Sequence, residues 1–219
     1  MLSLNKLAKG SAPALLVSLS MGISLTAAAD GQSQTFAQAH SSHQQTDPSE
    51  FLVRAVQEGV PDSFQDINVP LSLVDSQGQH LWVVATPCVS GQDFGAMGVH
   101  IVSPARLGDT DPKQPDKAVL NPKEPEVLIY EPLGNNRFRL VGVEFVVFKA
   151  DWEVIHKNPL DVPSLQGNLL NLVTSPNRFG FPDFYELHVW AFQSNPNGSF
   201  ADWNSQVSCF RANAQQIGR

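Results

Sequence analysis

Residues 138–148 read FRLVGVEFVVF. Along a β-strand the side chains alternate between two faces. Val141, Val143, Phe145 and Val147 then fall on one side, and Leu140, Gly142, Glu144, Val146 and Phe148 on the other. Both sides are apolar, so this strand belongs in a sheet covered on both faces or in a small barrel. Glu144 is the one ionisable group on the second side, and Gly142 leaves room beside it. A carboxylate among apolar neighbours must be paired, ligated or shifted in pKa.

Two further stretches carry the same pattern. In AMGVHIV (96–102), Met97, Val99 and Ile101 oppose Ala96, Gly98, His100 and Val102. In FYELHVWAF (184–192), Leu187, Val189 and Ala191 oppose Glu186, His188, Trp190 and Phe192. If the three strands are neighbours, His100, Glu144 and His188 converge. Two imidazoles and a carboxylate suit zinc, iron or copper, with positions left for water or substrate. Glu186 would then orient a ligand or act as the catalytic general base, and Trp190 would wall the pocket. The competing reading is a satisfied core pair of histidine and glutamate with no ligand. A metal set requires the three groups to come within about 4–5 Å of one another. A β-bulge at either glycine would flip the phase and separate them.

The remaining chain completes an α+β fold, a mostly antiparallel sheet or small barrel with one or two short helices and long Pro-rich loops. Asp47, Pro48 and Glu50 form a helix start, Phe51, Leu52, Ala55 and Val56 an apolar stripe, and Gly59 a stop, so a helix is expected over 48–58. Further strands are expected at 69–74, 80–86 and 126–131. DSQG (75–78) and LGNN (133–136) read as hairpin turns. ADWEVIHK (150–157) reads as a short helix capped by Asp151. The connections 104–125 and 156–183 are long, and such loops are usually functional or cover a sheet.

The N-terminus reads as a secretory leader over residues 1–29, with an uncleaved N-terminal anchor as the competing reading. Lys6 and Lys9 precede the apolar run APALLVSLSMGISL (12–25), and Ala27, Ala28 and Ala29 offer a cleavage site. Residues 30–46 read as a polar tether, 47–212 as a single β-rich domain and 213–219 as a tail. No later run reaches membrane-span length. The formal net charge is −7, and Lys6 and Lys9 both lie in the leader, so the remainder is more acidic still. This argues against nucleic acid as a partner, because phosphate contacts need a basic surface. The leader implies a periplasmic or extracellular location, where the two cysteines, Cys88 and Cys209, should pair.

Other chemistry is weakly signalled. His40 and His43 have H-x-x-H spacing without further ligands, and DTD (109–111) with Asp116 lacks the glycine and closing glutamate of a calcium loop. Glu131 reads as a strand-end acid at a turn, and His80 and His156 as solvated. GQDFGAMG (91–98) precedes a strand and so does not form a phosphate loop, and no G-x-S-x-G or H-E-x-x-H is present.

The pieces TPCV (86–89), MGVHIV (97–102), VLIYEP (127–132), LVGVEFV (140–146), YELHVW (185–190) and DWNSQVSC (202–209) resemble a family of uncharacterised exported bacterial proteins. The resemblance covers roughly residues 80–209 and includes His100, Glu131, Glu144, His188 and both cysteines; it implies a domain type but no activity. Two functions therefore stay open, an exported domain with a His/Glu metal pocket, catalytic if the metal activates water or oxygen, and a non-catalytic envelope-associated binding module. A metal-free small-molecule barrel is a third.

Overall fold

The computed structural model describes residues 48–107, 119–158 and 160–212. The expected leader, the tether with His40 and His43, the DTD segment with Asp116 and the tail lie outside the described residues. The elements run α1 (Pro48–Gly59), a 3-10 turn (Asp62–Gln65), α2 (Asn68–Ser72), β1 (Val83–Gly91), β2 (Gly95–Val102), β3 (Val127–Gly134) and β4 (Arg137–Phe148). They continue with α3 (Lys149–Ile155), the short strands β5 (Ser164–Leu165), β6 (Asn168–Leu169) and β7 (Asn171–Val173), and β8 (Phe184–Val189). Six strands form one antiparallel sheet in the order β1-β2-β3-β4-β8-β7, and β5 pairs with β6 separately. The sheet curls into a half-barrel, so the chain is α+β and β-rich, as expected.

Strands β2, β3 and β8 and most of β4 bury both faces, whereas β1 is largely exposed or half-buried. One face carries Val99, Ile101, Val143, Phe145, Val147, Leu187 and Val189 and packs against Leu52 and Val56 of α1, with Ile67 and Trp82. The other is divided between an aromatic-rich cluster around Val127, Val146 and Phe184 and a second around Ile129, Val141 and Trp190. The ionisable groups lie on this second face.

Several expectations are corrected. The segment expected as strand 69–74 is instead helix α2, because Asn68–Ser72 includes Pro70, which is poorly suited to a central strand. Only Val74 pairs, in an isolated bridge to His80. Strand β1 begins three residues later than expected, and β8 stops at Val189. A bulge lies in β4, where Ile129 pairs with Gly142 but Tyr130 pairs with Leu140. It exchanges the two expected faces locally, so Leu140 joins the α1 side and Val141 joins Trp190. Glu144 lies beyond the bulge and keeps its face. Asp151 sits in the first turn of α3 rather than at its cap.

Glu131 is not a strand-end acid. Strand β3 runs on to the two-residue turn at Asn135 and Asn136, both at positive φ, as a tight hairpin demands. Glu131 is buried, ion-paired with Arg139, and accepts the Ser208 N–H at 3.0 Å. That bond, the Ala96–Asn204 bridge and the Cys88–Cys209 disulfide fasten the C-terminal segment to the sheet. His80 is exposed, and His156 stacks on Trp152 with ring centroids 3.6 Å apart and meets Asp161.

No helix among the described residues is long and apolar enough to cross a membrane.

Candidate metal centre

The register places Glu144 of β4 directly opposite His188 of β8. His100 sits on β2, where it pairs with Ile129 of β3. Strands β3 and β4 therefore lie between the two histidines. In a flat sheet three strand spacings separate them by about 14 Å. Their ring centroids are 6.1 Å apart. The curl of the sheet closes this gap, turning the second face inward so that long side chains from non-adjacent strands meet.

The glycines make room for this meeting. A Cβ on Gly142 would lie 2.9 Å from the Val189 carbonyl and 3.2 Å from the Trp190 ring, so Gly142 lets the Trp190 indole lie against β4. Trp190 is near-parallel to His188 at 6.2 Å between centroids and donates its Nε1–H to the Ala201 carbonyl at 2.6 Å. It forms a wall of the site, as expected. Gly98 has φ +102°, and a Cβ there would meet the Tyr130 carbonyl at 2.7 Å. The pairing of β1 with β2 is irregular here: β1 advances three residues from Thr86 to Val89 while β2 moves two, and beside Gly98 β2 moves two, to Ala96, while β1 advances one. His100 lies past that step and pairs regularly with β3 from Val99 to Val102, so it keeps its face.

The donor atoms of His100, Glu144 and His188 all lie within 4.8 Å of one another, and all three residues are buried. His100 Nδ1 contacts the Thr86 hydroxyl at 3.1 Å. Its Nε2 is 3.8 Å from Glu144 Oε2, beyond hydrogen-bond range. Neither His100 Nε2 nor either ring nitrogen of His188 has a hydrogen-bond partner. The satisfied core pair is thus not what these residues form.

Burial also sets their protonation. It lowers His100 to about 4, against a smaller upward pull from the Gly98 carbonyl. It lowers His188 to about 3, and His100 repels the charged form further. Both imidazoles are therefore neutral near pH 7, the form that ligates metal. Burial pushes the Glu144 carboxyl well above its usual range, and the neighbouring Glu186 adds to the effect. Glu186 is raised by burial too, although its hydrogen bond with Glu144 and the nearby Arg178 favour its charged form.

One side of the site opens on a cavity of about 10 Å³ lined by His100, Glu144, Val127, Phe179, Phe181 and Phe184. That is room for about one water molecule. Phe179 and Phe181 come from the long connection before β8, and Phe179 meets His100 edge-on at 5.9 Å. The expected covering role of this loop is what the structure shows on this face.

Asp202 carries no ligand signal in the sequence. It lies in the C-terminal segment, and its Oδ1 is 3.8 Å from His188 Nδ1. A loop residue has no period to betray the direction of its side chain.

Glu126, just before β3, lies near enough to Glu144 for their charges to interact. Its Oε2 accepts the Val146 N–H at 3.0 Å, yet burial raises its pKa from 4.5 to about 8. The folded protein holds a proton that the unfolded chain releases, so this contribution to stability is complete below about 4.5 and lost as the pH rises through about 8. Glu126→Gln removes the titration and keeps an acceptor for Val146. Relative to that variant, the wild type is expected to lose on the order of 1.4 kcal/mol per pH unit in this window. Urea unfolding across the window checks it, and parallel stability curves would refute it.

Comparisons with protein-family models, curated proteins and solved structures find no match for this chain.

Proposed function

We propose that this is an exported metal-binding domain in which His100, Glu144 and His188 hold a divalent transition metal. The observation that carries the reading is the set of buried ring nitrogens without partners, facing a carboxylate from an adjacent strand. Leaving a buried polar atom unsatisfied costs about 1–3 kcal/mol, and a bound ion removes that cost for several atoms at once. Two imidazoles and one carboxylate favour zinc, iron or copper over magnesium or calcium, which prefer oxygen donors. The cavity beside His100 and Glu144 leaves space for a single water on the ion. The His/Glu set is preferred over a non-catalytic structural network because that network would be hydrogen-bonded.

Export is supported by the apolar leader with its small-residue site and by the Cys88–Cys209 disulfide, which suits an oxidising compartment. The resemblance to exported bacterial proteins agrees with it.

The test is metal analysis of the domain purified from an oxidising compartment, followed by stripping and reconstitution. Saturating Zn²⁺ at about 100 times Kd is expected to stabilise the fold by about 2.7 kcal/mol, which raises Tm by roughly 5–10 °C for a domain of this size. An unchanged Tm with no retained metal, for zinc, iron and copper alike, would sink the reading.

A further inference from the structure

Among the described residues, four buried side-chain atoms lack a hydrogen-bond partner: His100 Nε2, Glu186 Oε2 and both ring nitrogens of His188. One ion in the His100–Glu144–His188 set satisfies His100 Nε2 and one nitrogen of His188. The other nitrogen and Glu186 Oε2 are still left over. Glu186 and His188 also belong to a second group with Asp202, in which one donor atom from each residue lies within 4.8 Å of the others, and His188 Nδ1 is the nitrogen on the Asp202 side. Metal-bound histidines commonly donate their second ring N–H to a carboxylate. At 3.8 Å the His188 Nδ1–Asp202 contact is too long for that bond, and it would do nothing for Glu186.

We propose that Glu186, His188 and Asp202 bind a second divalent transition-metal ion, with His188 bridging the two ions through its two ring nitrogens. This rests on the metal reading of the first set. Nδ1 faces Asp202 and serves the second ion; Nε2 serves the first. The ring proton of His188 and the proton held between Glu144 and Glu186 leave to solvent as the two ions bind. Three carboxylates and the deprotonated imidazole then carry four negative charges, which two divalent ions neutralise. Arg178, stacked over Trp203 at 5.5 Å, favours charged Glu186 but leaves Glu186 Oε2 without a hydrogen bond. The Asp202 side chain is 41% exposed, so the second set meets solvent while the first is enclosed. Glu186 accordingly becomes a ligand, where its sequence position suggested a general base.

The test uses the full disulfide-bonded protein, stripped and titrated with Zn²⁺ alone, with bound metal counted per chain. Wild type is expected to hold two ions, Asp202→Asn one, and His188→Ala neither tightly. Loading with Cu²⁺ is expected to give a magnetically coupled pair whose electron paramagnetic resonance signal falls well below that of two isolated ions, and Asp202→Asn to restore an isolated-ion spectrum. One ion per chain, unaffected by Asp202→Asn but lost in His100→Ala, overturns the second site and leaves the first standing. One ion kept in His100→Ala but lost in Asp202→Asn overturns the bridged pair, as do two ions with uncoupled spectra. No bound ion at all overturns both readings.

Discussion

His188→Leu is expected to make the metal-free protein more stable by about 1–3 kcal/mol while weakening metal binding more than 100-fold. The two effects have separate causes. His188 is fully buried between β4 and the C-terminal segment, and neither ring nitrogen has a partner. Leucine has a comparable volume and brings no polar atom, so it removes that penalty; a hydrophobic replacement of similar size usually disturbs packing by less than about 1.5 kcal/mol. Metal affinity moves the other way. Losing a residue that only supports a ligand typically lowers affinity 10–100-fold, and losing the ligand itself should do more. His100→Ala is expected to remove the ion of the first set, with a smaller gain or a small loss in stability, because it leaves a cavity and frees the Thr86 hydroxyl. Urea unfolding of the stripped proteins and zinc titration measure both quantities. If His188→Leu instead destabilises the metal-free fold by several kcal/mol, these side chains are structural and the metal reading fails.

Opening the Cys88–Cys209 bond is expected to cost about 2–5 kcal/mol of stability. The closed loop spans 121 positions, so the bond restrains a large part of the unfolded chain. It fixes the end of the C-terminal segment to β1, and the same segment carries Asp202. Reduction should not unfold the domain outright, because the Ala96–Asn204 bridge and the Glu131–Ser208 bond hold the segment as well. Comparing urea midpoints of the native protein with those of a Cys88→Ser/Cys209→Ser variant checks this; coincident curves would refute it. The site offers a second readout, since a looser segment should weaken binding through Asp202 more than through His100.

The sequence by itself determined which residues share a face on the long strands. Alternation in 96–102, 138–148 and 184–192 reports side-chain direction residue by residue, and it placed His100, Glu144, Glu186 and His188 on one side. It also identified the Asn135–Asn136 turn and helix α1, whose signals are local, and the two cysteines as a pair. Alternation could not show where β4 bulges, because the extra residue at Leu140–Val141 becomes visible only against the register of β3. The proline-bearing stretch at Asn68–Ser72 mimicked a strand, and short β5, β6 and β7 are too brief to carry a period. Only the tertiary structure decided that His100 and His188, with two strands between them in the sheet, meet at 6.1 Å between ring centroids. That contact depends on curvature, which accumulates from strand twist over the whole sheet and belongs to no single segment. The same holds for Asp202, whose position over His188 is set by a disulfide and hydrogen bonds to distant strands rather than by its neighbours in the chain.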